Sequence, residues 1–155
     1  MRHRLYVLGL VALIGSTAVV RAQGAPDEAS LKLTHETLVK SASSGNLAVL
    51  LGMMHPRASG FFRDSQQPVQ LGQGVTAADI LPTLIADLGH FVSTPTDTGY
   101  RVLGTVGAVN MTAFQKRKSN ERGSDRYIRG TYIYAWEGGN WKLVSFHGSD
   151  TPLKK

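Results

Sequence analysis

The feature that most constrains this chain is a change of period. Up to Gly89 apolar residues recur at helical spacing, whereas from Tyr100 to Ser149 they alternate every second position. Tyr100-Arg101-Val102-Leu103 is an extended piece ending at Gly104, and a longer strand is predicted from Val106 to about Gln115. The polar stretch Lys116–Asp125 reads as a solvated hairpin tip. Arg126 to Trp136 and Trp141 to Ser149 are two further strands, joined by the turn Glu137-Gly138-Gly139-Asn140. Helices followed by an antiparallel meander predict an α+β domain.

The helical part has its own punctuation. Asp27 is placed to cap a first helix, with Leu31, Leu38 and Ala42 on one face and Thr34 and His35 between them, and Gly45 closes it. Asn46 caps a short second helix running to Met54, stopped by His55-Pro56. Phe61-Phe62 and Val69-Gln70-Leu71 read as short extended pieces. Thr76 and Asp79 have capping-box spacing for a third helix, with Ile80, Leu81, Leu84, Ile85 and Leu88 as its apolar stripe.

Strand parity shows what the sheet must bury. One face of the Arg126–Trp136 strand carries Ile128, Tyr132, Tyr134 and Trp136; the other carries Tyr127, Thr131, Ile133 and Ala135. In the last strand, Trp141, Leu143, Ser145 and His147 oppose Val144, Phe146 and Gly148. Neither face is wholly polar and the helices can cover only one. The other is expected to pack on a second copy, making a homodimer through the sheet.

The first 22 residues are set apart. Arg2 and Arg4 precede the apolar run Leu5–Ile14, and Val20-Arg21-Ala22 supplies the small residues of a cleavage site. This is the order of a secretory signal, and its apolar run is shorter than the about 20 residues of a spanning helix. The organisation expected is a signal peptide over 1–22, a tether over 23–30, one domain over 31–150 and a tail over 151–155. A secreted or periplasmic location follows, with no stable membrane insertion once the signal is cleaved; retention as an anchor is the other reading. Cleavage removes Arg2, Arg4 and Arg21, half of the formal charge of +6, so the basic balance is no nucleic-acid footprint.

Composition excludes other classes. The 155 residues contain no cysteine, which removes disulfide scaffolds, thiolate nucleophiles and Cys-ligated metals. The five histidines, at 3, 35, 55, 90 and 147, have no paired ligand spacing, so no metal is expected. Gly72-x-Gly74-x-x-Ala77 mimics a dinucleotide fingerprint but lacks the parallel βαβ unit that follows a genuine one. No cofactor is expected.

The segment Arg129–Ser149 resembles the nuclear-transport-factor-2-like superfamily, in particular SnoaL-like domains, domain of unknown function 4440, and the association domain of calcium/calmodulin-dependent protein kinase II. The last has a C-terminal signature of the form T-x-V-W…G-K-W-x-x-V-x-F-H-x-S, matched here in order by Thr131, Gly139, Trp141, Val144, Phe146, His147 and Ser149. The resemblance covers about Leu31 to Ser149. It implies a cone: N-terminal helices packed on a curved, mostly antiparallel sheet, a pocket at the wide end, and dimerisation through the outer face. Tyr132 and Gly148 stand where the kinase association domain has pocket arginines, so that anion-binding chemistry is not carried over. Asp97, Glu121, Asp125, Glu137 and Asp150 fall in predicted turns or tails, so the carboxylate base of the ketosteroid isomerases of this fold has no counterpart either.

The residues left for chemistry are few. His147 reads either as a general base in a half-buried cleft or as a structural histidine bonded to a backbone carbonyl. Tyr132 and Tyr134 share a face and either present hydroxyls to a pocket or simply pack. Phe146 is a further candidate for ligand contact. His55 sits at a helix end near the expected pocket mouth, where ligand contact and helix termination explain it equally. Trp136 and Trp141 flank the turn and are expected to pin it. The function these residues predict is binding of a small, mostly apolar molecule in the cone. Two alternatives remain: a SnoaL- or ketosteroid-isomerase-like enzyme doing proton transfer on a carbonyl substrate, with His147 as base and Tyr132 or Tyr134 as donor, and an oligomerisation module.

Overall fold

The computed structural model describes residues 24–61, 66–72, 81–83, 85–87, 89–119 and 122–152. The signal-like segment, the Thr76–Asp79 pair, Gly74, Ala77, Leu84, Leu88 and Glu121 lie outside them.

Helix α1 spans Glu28–Ser44 and opens on a reciprocal capping box. The Asp27 carboxylate accepts from the Ser30 N–H at 2.7 Å, and the Asp27 N–H donates back to Ser30 Oγ at 3.3 Å. It ends at Gly45 in the left-handed region (φ 73°), where a Cβ would be strained. Asn46 then caps α2, Leu47–Met53, accepting from the Val49 N–H. The buried side of α1 carries Leu31, His35, Leu38 and Ser41, so a histidine lies between two leucines of the buried stripe and a serine follows them. Residues 81–83 and 85–87 are also helical; Leu81 is buried and Ile85 packs on the core.

Among the described residues six strands form one sheet: β1 Met54–Phe61, β2 Val69–Gln70, β3 Phe91–Leu103, β4 Val106–Arg117, β5 Arg126–Glu137 and β6 Asn140–Pro152. Their order is β2-β1-β6-β5-β4-β3. Only β1 and β6 pair in parallel; the meander from β3 to β6 is antiparallel throughout. The curved sheet packs its inner face on α1, and the core gathers Leu31, Leu38, Leu50, Met54, Ala58, Leu71, Val109, Tyr134, Trp141 and Leu143. The Trp141 indole N–H donates to Ser30 Oγ at 3.0 Å, tying β6 to the first turn of α1. Trp141 also meets Trp136 edge to face at 5.2 Å across the Gly138-Gly139 turn, as a pin for that turn requires.

Four boundaries differ from the sequence reading. α2 stops at Met53, just before His55-Pro56 as expected, but the chain passes at once into β1, which starts at Met54 and contains that pair. β3 begins at Phe91, nine residues before Tyr100. It lies at the sheet edge, where Pro95 costs no ladder bond, and a register shift between Pro95 and Asp97 absorbs the irregularity. β6 runs to Pro152, so residues 151 and 152 belong to the sheet rather than to a tail, and α1 begins within the expected tether. Asp97 and Asp150 are therefore strand residues rather than turn or tail residues.

A polar knot closes one end of the inner face. The Arg126 side chain is 8% exposed. Its Nε donates to Gln115 Oε1 at 2.7 Å, and its Nη groups reach Asp87 Oδ2 at 3.1 Å and Asp150 Oδ2 at 3.5 Å. Its guanidinium lies over the Phe91 ring at 3.9 Å, and that of Arg117 lies over the same ring at 4.3 Å. Arg117, expected in a solvated hairpin tip, is thus half-buried against Phe91, while the tip closes through the Arg117 N–H to Asp125 Oδ1 at 2.8 Å. Arg126 links the helical residues around Asp87 to β4, β5 and β6.

Candidate functional site

Strand register decides which candidate residues meet. Across the inner face one row runs Tyr100, Val109, Tyr132, Phe146 and Gly60, each directly opposite the next. The adjacent row runs Val102, Gly107, Tyr134, Leu143 and Met54. Tyr132, Tyr134 and Phe146 therefore converge; parity along β5 placed the two tyrosines together, and the strand register adds Phe146. On the other side of the Tyr132 row stand Met111, Gly130 and Gly148. The Tyr132 ring lies over Gly130 and the Phe146 ring over Gly148: a Cβ at either glycine would come within 2.8 Å or 2.6 Å of those rings. The two glycines set the tilt of the two aromatic rings.

His147 is elsewhere. It pairs with Thr131 and Phe61, and both neighbours alternate with the inner row. A register shift in the β5–β6 ladder between Ile133 and Tyr134 inserts one extra residue, Val144, into β6. That bulge puts Trp141 and Leu143 on the same face as Phe146, which uninterrupted alternation separates. His147 lies on the outer face, exposed, in a groove of about 480 Å³ lined by residues including Asp97, Asn110, Thr112, Arg129, Thr131 and Ser149. Imidazole 147 and phenols 132 and 134 thus sit on opposite sides of the sheet, and the proton-transfer pairing expected of them is not formed. His55 does not join them either: its Nδ1 accepts from the Arg57 N–H at 3.0 Å and its Nε2 faces Glu137 Oε1 at 3.5 Å.

The histidine that reaches the inner phenols is His35, from α1. Its side chain stands edge to face with Tyr132 at 4.6 Å, Tyr100 at 6.1 Å and Tyr134 at 6.2 Å, and Phe146 leans on Tyr132 at 4.9 Å. Its Nδ1 is 2.9 Å from the Tyr134 hydroxyl. His35 is 3% exposed, and its Nε2 is buried without a hydrogen-bond partner among the described residues. Burial lowers the imidazole to a pKa of about 4 and raises the Tyr132 phenol to about 12. Burial, with the neighbouring phenols, also raises Tyr134 well above the ordinary phenol value. At neutral pH the cage is therefore uncharged: three phenols around a neutral imidazole, with Phe146 packed on one of them. An imidazole with so low a pKa is a poor general base at neutral pH and a serviceable hydrogen-bond donor.

Sequence reasoning missed His35 and Tyr100. The signal was present: His35 is four residues after Leu31 and three before Leu38, a polar side chain at a core position of an amphipathic helix. Among the described residues no cluster of three His, Asp or Glu is placed to hold a metal, and no helix is long and apolar enough to cross a membrane.

A curved antiparallel sheet closed over N-terminal helices, with an aromatic inner wall, is the cone architecture of nuclear-transport-factor-2-like proteins. The chain belongs to the SnoaL-like domain family, which matches residues 32–154. Solved structures agree on the fold. The hub of calcium/calmodulin-dependent kinase II from S. rosetta aligns with a TM-score of 0.67 at 15% identity, over 77–83% coverage typical of these neighbours: here 83% of this chain and 99% of that one. A candidate ketosteroid isomerase from Shewanella frigidimarina aligns at 0.68 and 13% identity, covering 77% and 94%. An NTF2-like protein of unknown function from Pseudomonas putida aligns at 0.65 and 11%, covering 81% and 89%. At these identities the likeness is one of fold. No curated protein matches the chain.

Proposed function

We propose that this is an exported, homodimeric binding protein whose cone holds a small, mostly apolar molecule against the aromatic cage around His35. The observation that carries the reading is the cage itself: Tyr100, Tyr132 and Tyr134 surround a buried neutral imidazole, with Phe146 packed on Tyr132. Mostly apolar walls with few fixed polar groups are the usual chemistry of a small-molecule site. The absence of charge from these side chains favours a neutral occupant, since an ion there would lose its hydration with no countercharge in the cage.

The dimer is supported by the outer face, which exposes Phe61, Val92, Leu103, Val106 and Tyr127 around the polar groove at His147. Similarity to a kinase hub is consistent with assembly through this fold. Export rests on the charged, apolar and small-residue order of residues 1–22.

Native mass spectrometry of the protein made in an exporting host reads all three parts together. The expected spectrum is a dimer of chains beginning at Gln23, carrying a noncovalent small-molecule adduct that survives gentle desolvation. A chain retaining Met1 sinks the export reading and a monomer sinks the dimer. An adduct-free protein that also shows no thermal shift with neutral aromatic probes at millimolar concentration sinks the binding function.

A further inference from the structure

We propose that the outer edge of β3 pairs antiparallel with the same edge of a second copy of this chain, with Gly99 on the two-fold axis. This contact runs along the rim of the sheet, not across the outer face proposed above for the dimer. β3 is the last strand in the order β2-β1-β6-β5-β4-β3, and among the described residues nothing pairs with its far side. Long open edges are ordinarily blunted by proline, bulges or a covering element. Here Pro95 and the register shift between Pro95 and Asp97 blunt only the first part. From Asp97 to Leu103 the pairing with β4 is regular, and Asp97, Gly99, Arg101 and Leu103 are exposed.

The hydrogen-bonding parity of that run is fixed at its end. Leu103 and Val106 flank a two-residue turn and so bond each other, while on the β5 side it is the Trp136 N–H and Thr105 O that meet, at 2.8 Å. Counting back, Asp97, Gly99 and Arg101 turn their main-chain groups to β4, and Thr98, Tyr100 and Val102 turn theirs to the open edge. Pairing about Gly99 then sets Thr98 against the partner's Tyr100, and the reverse, with about four main-chain hydrogen bonds.

The side chains select the same axis. Asp97 and Arg101 stand two residues on either side of Gly99 and on one face of the strand. Neither makes an ion pair among the described residues. A two-fold axis at Gly99 puts Arg101 opposite the partner's Asp97, twice over. Moving the axis to Thr98 or Tyr100 sets Arg101 opposite the partner's Pro95 or the partner's Gly99 and loses both pairs. Gly99 itself has no positive φ, and a Cβ there would meet nothing within 4 Å. No contact among the described residues therefore calls for glycine inside this strand, where it weakens the ladder; a second backbone approaching to about 4.5 Å between Cα atoms does. This self-complementarity about one residue is what makes the partner a second copy rather than an unrelated strand.

The test reads amide hydrogen exchange by NMR and mass by sedimentation, on the same samples, from about 10 µM to about 1 mM, the range suited to a small contact. The amides of Thr98 and Tyr100 should slow at least about fivefold as concentration rises, while those of Gly99 and Arg101, already bonded to β4, stay unchanged. The mean mass should rise over the same range, whether or not the sheet faces also dimerise. Asp97→Arg and Arg101→Asp, each of which sets like charges opposite one another, should each weaken this association at least about tenfold. An equimolar mixture of the two variants should associate as the wild type does, because each then supplies the charge the other lacks. Exchange that slows uniformly along β3, or not at all at the highest concentration, overturns the proposal. So does a mixture that associates no better than its components.

Discussion

Arg126→Met is expected to cost about 2–4 kcal/mol of stability in urea unfolding, among the largest effects of any single substitution outside the hydrophobic core. Methionine can replace much of the packing on Phe91, but not the donors. Gln115, 1% exposed, loses the partner of its Oε1, and the carboxylates of Asp87 and Asp150 lose the guanidinium between them. Those carboxylates are partly solvated, with side chains 36% and 24% exposed, which keeps the cost below that of a fully enclosed ion pair. Arg126→Lys should fall between, because an ammonium keeps the charge but cannot reach three acceptors in a planar fork. A midpoint for Arg126→Met within about 0.5 kcal/mol of the wild type would show that the knot is ornamental to the fold.

Acid should destabilise the protein through His35, with a definite sign and window. Folding lowers its pKa from 6.5 to about 4, so between these values the unfolded chain holds more protons than the native one. Stability is unaffected by this group above pH 6.5, falls as pH drops through that window, and reaches its full loss near pH 4. The total is about 3 kcal/mol. His35→Phe removes the term. At pH 7 the variant should be the less stable protein, since the buried Tyr134 hydroxyl loses its partner at a cost of about 1–3 kcal/mol. By pH 4 the gap should close or reverse. The readout is the difference between the two urea stabilities across pH, in which the other titrating groups cancel to first order; parallel curves would contradict the burial of a neutral imidazole.

Much of this fold is written in local signals. Asp27 and Ser30 announce the start of α1 and Gly45 its end, and the Gly138-Gly139 turn with Trp136 and Trp141 on either side fixes the register of the last hairpin. Alternation along β5 correctly put Tyr132 and Tyr134 on one face. Alternation along β6 misled, because a bulge at Val144 shifts parity by one and nothing in Lys142–Ser145 marks it: bulges depend on how two strands twist together, which one strand's sequence does not state. The start of β3 was hidden for a different reason. Edge strands need neither alternating burial nor an unbroken ladder, so Ser93-Thr94-Pro95-Thr96-Asp97 reads as loop although it pairs with β4.

The site was legible in part. Tyr132 and Tyr134 could be placed together because they alternate on one strand, whereas Phe146 joins them only through the pairing of β5 with β6. His35 lies 99 residues from its partner Tyr134, and only the packing of α1 across the sheet brings them together. The clue available beforehand was negative: a titratable side chain where an apolar stripe wants leucine. His147, by contrast, drew attention through the motif around it, and the bulge carried it to the other side of the sheet.

The most direct test of the account is a crystal structure of the protein grown with acetophenone. The aromatic ring of the probe is expected against Tyr100, Tyr132 and Phe146 on the inner face of the sheet. Ligand in the outer groove beside His147 with the inner cage unchanged would contradict binding in the cone.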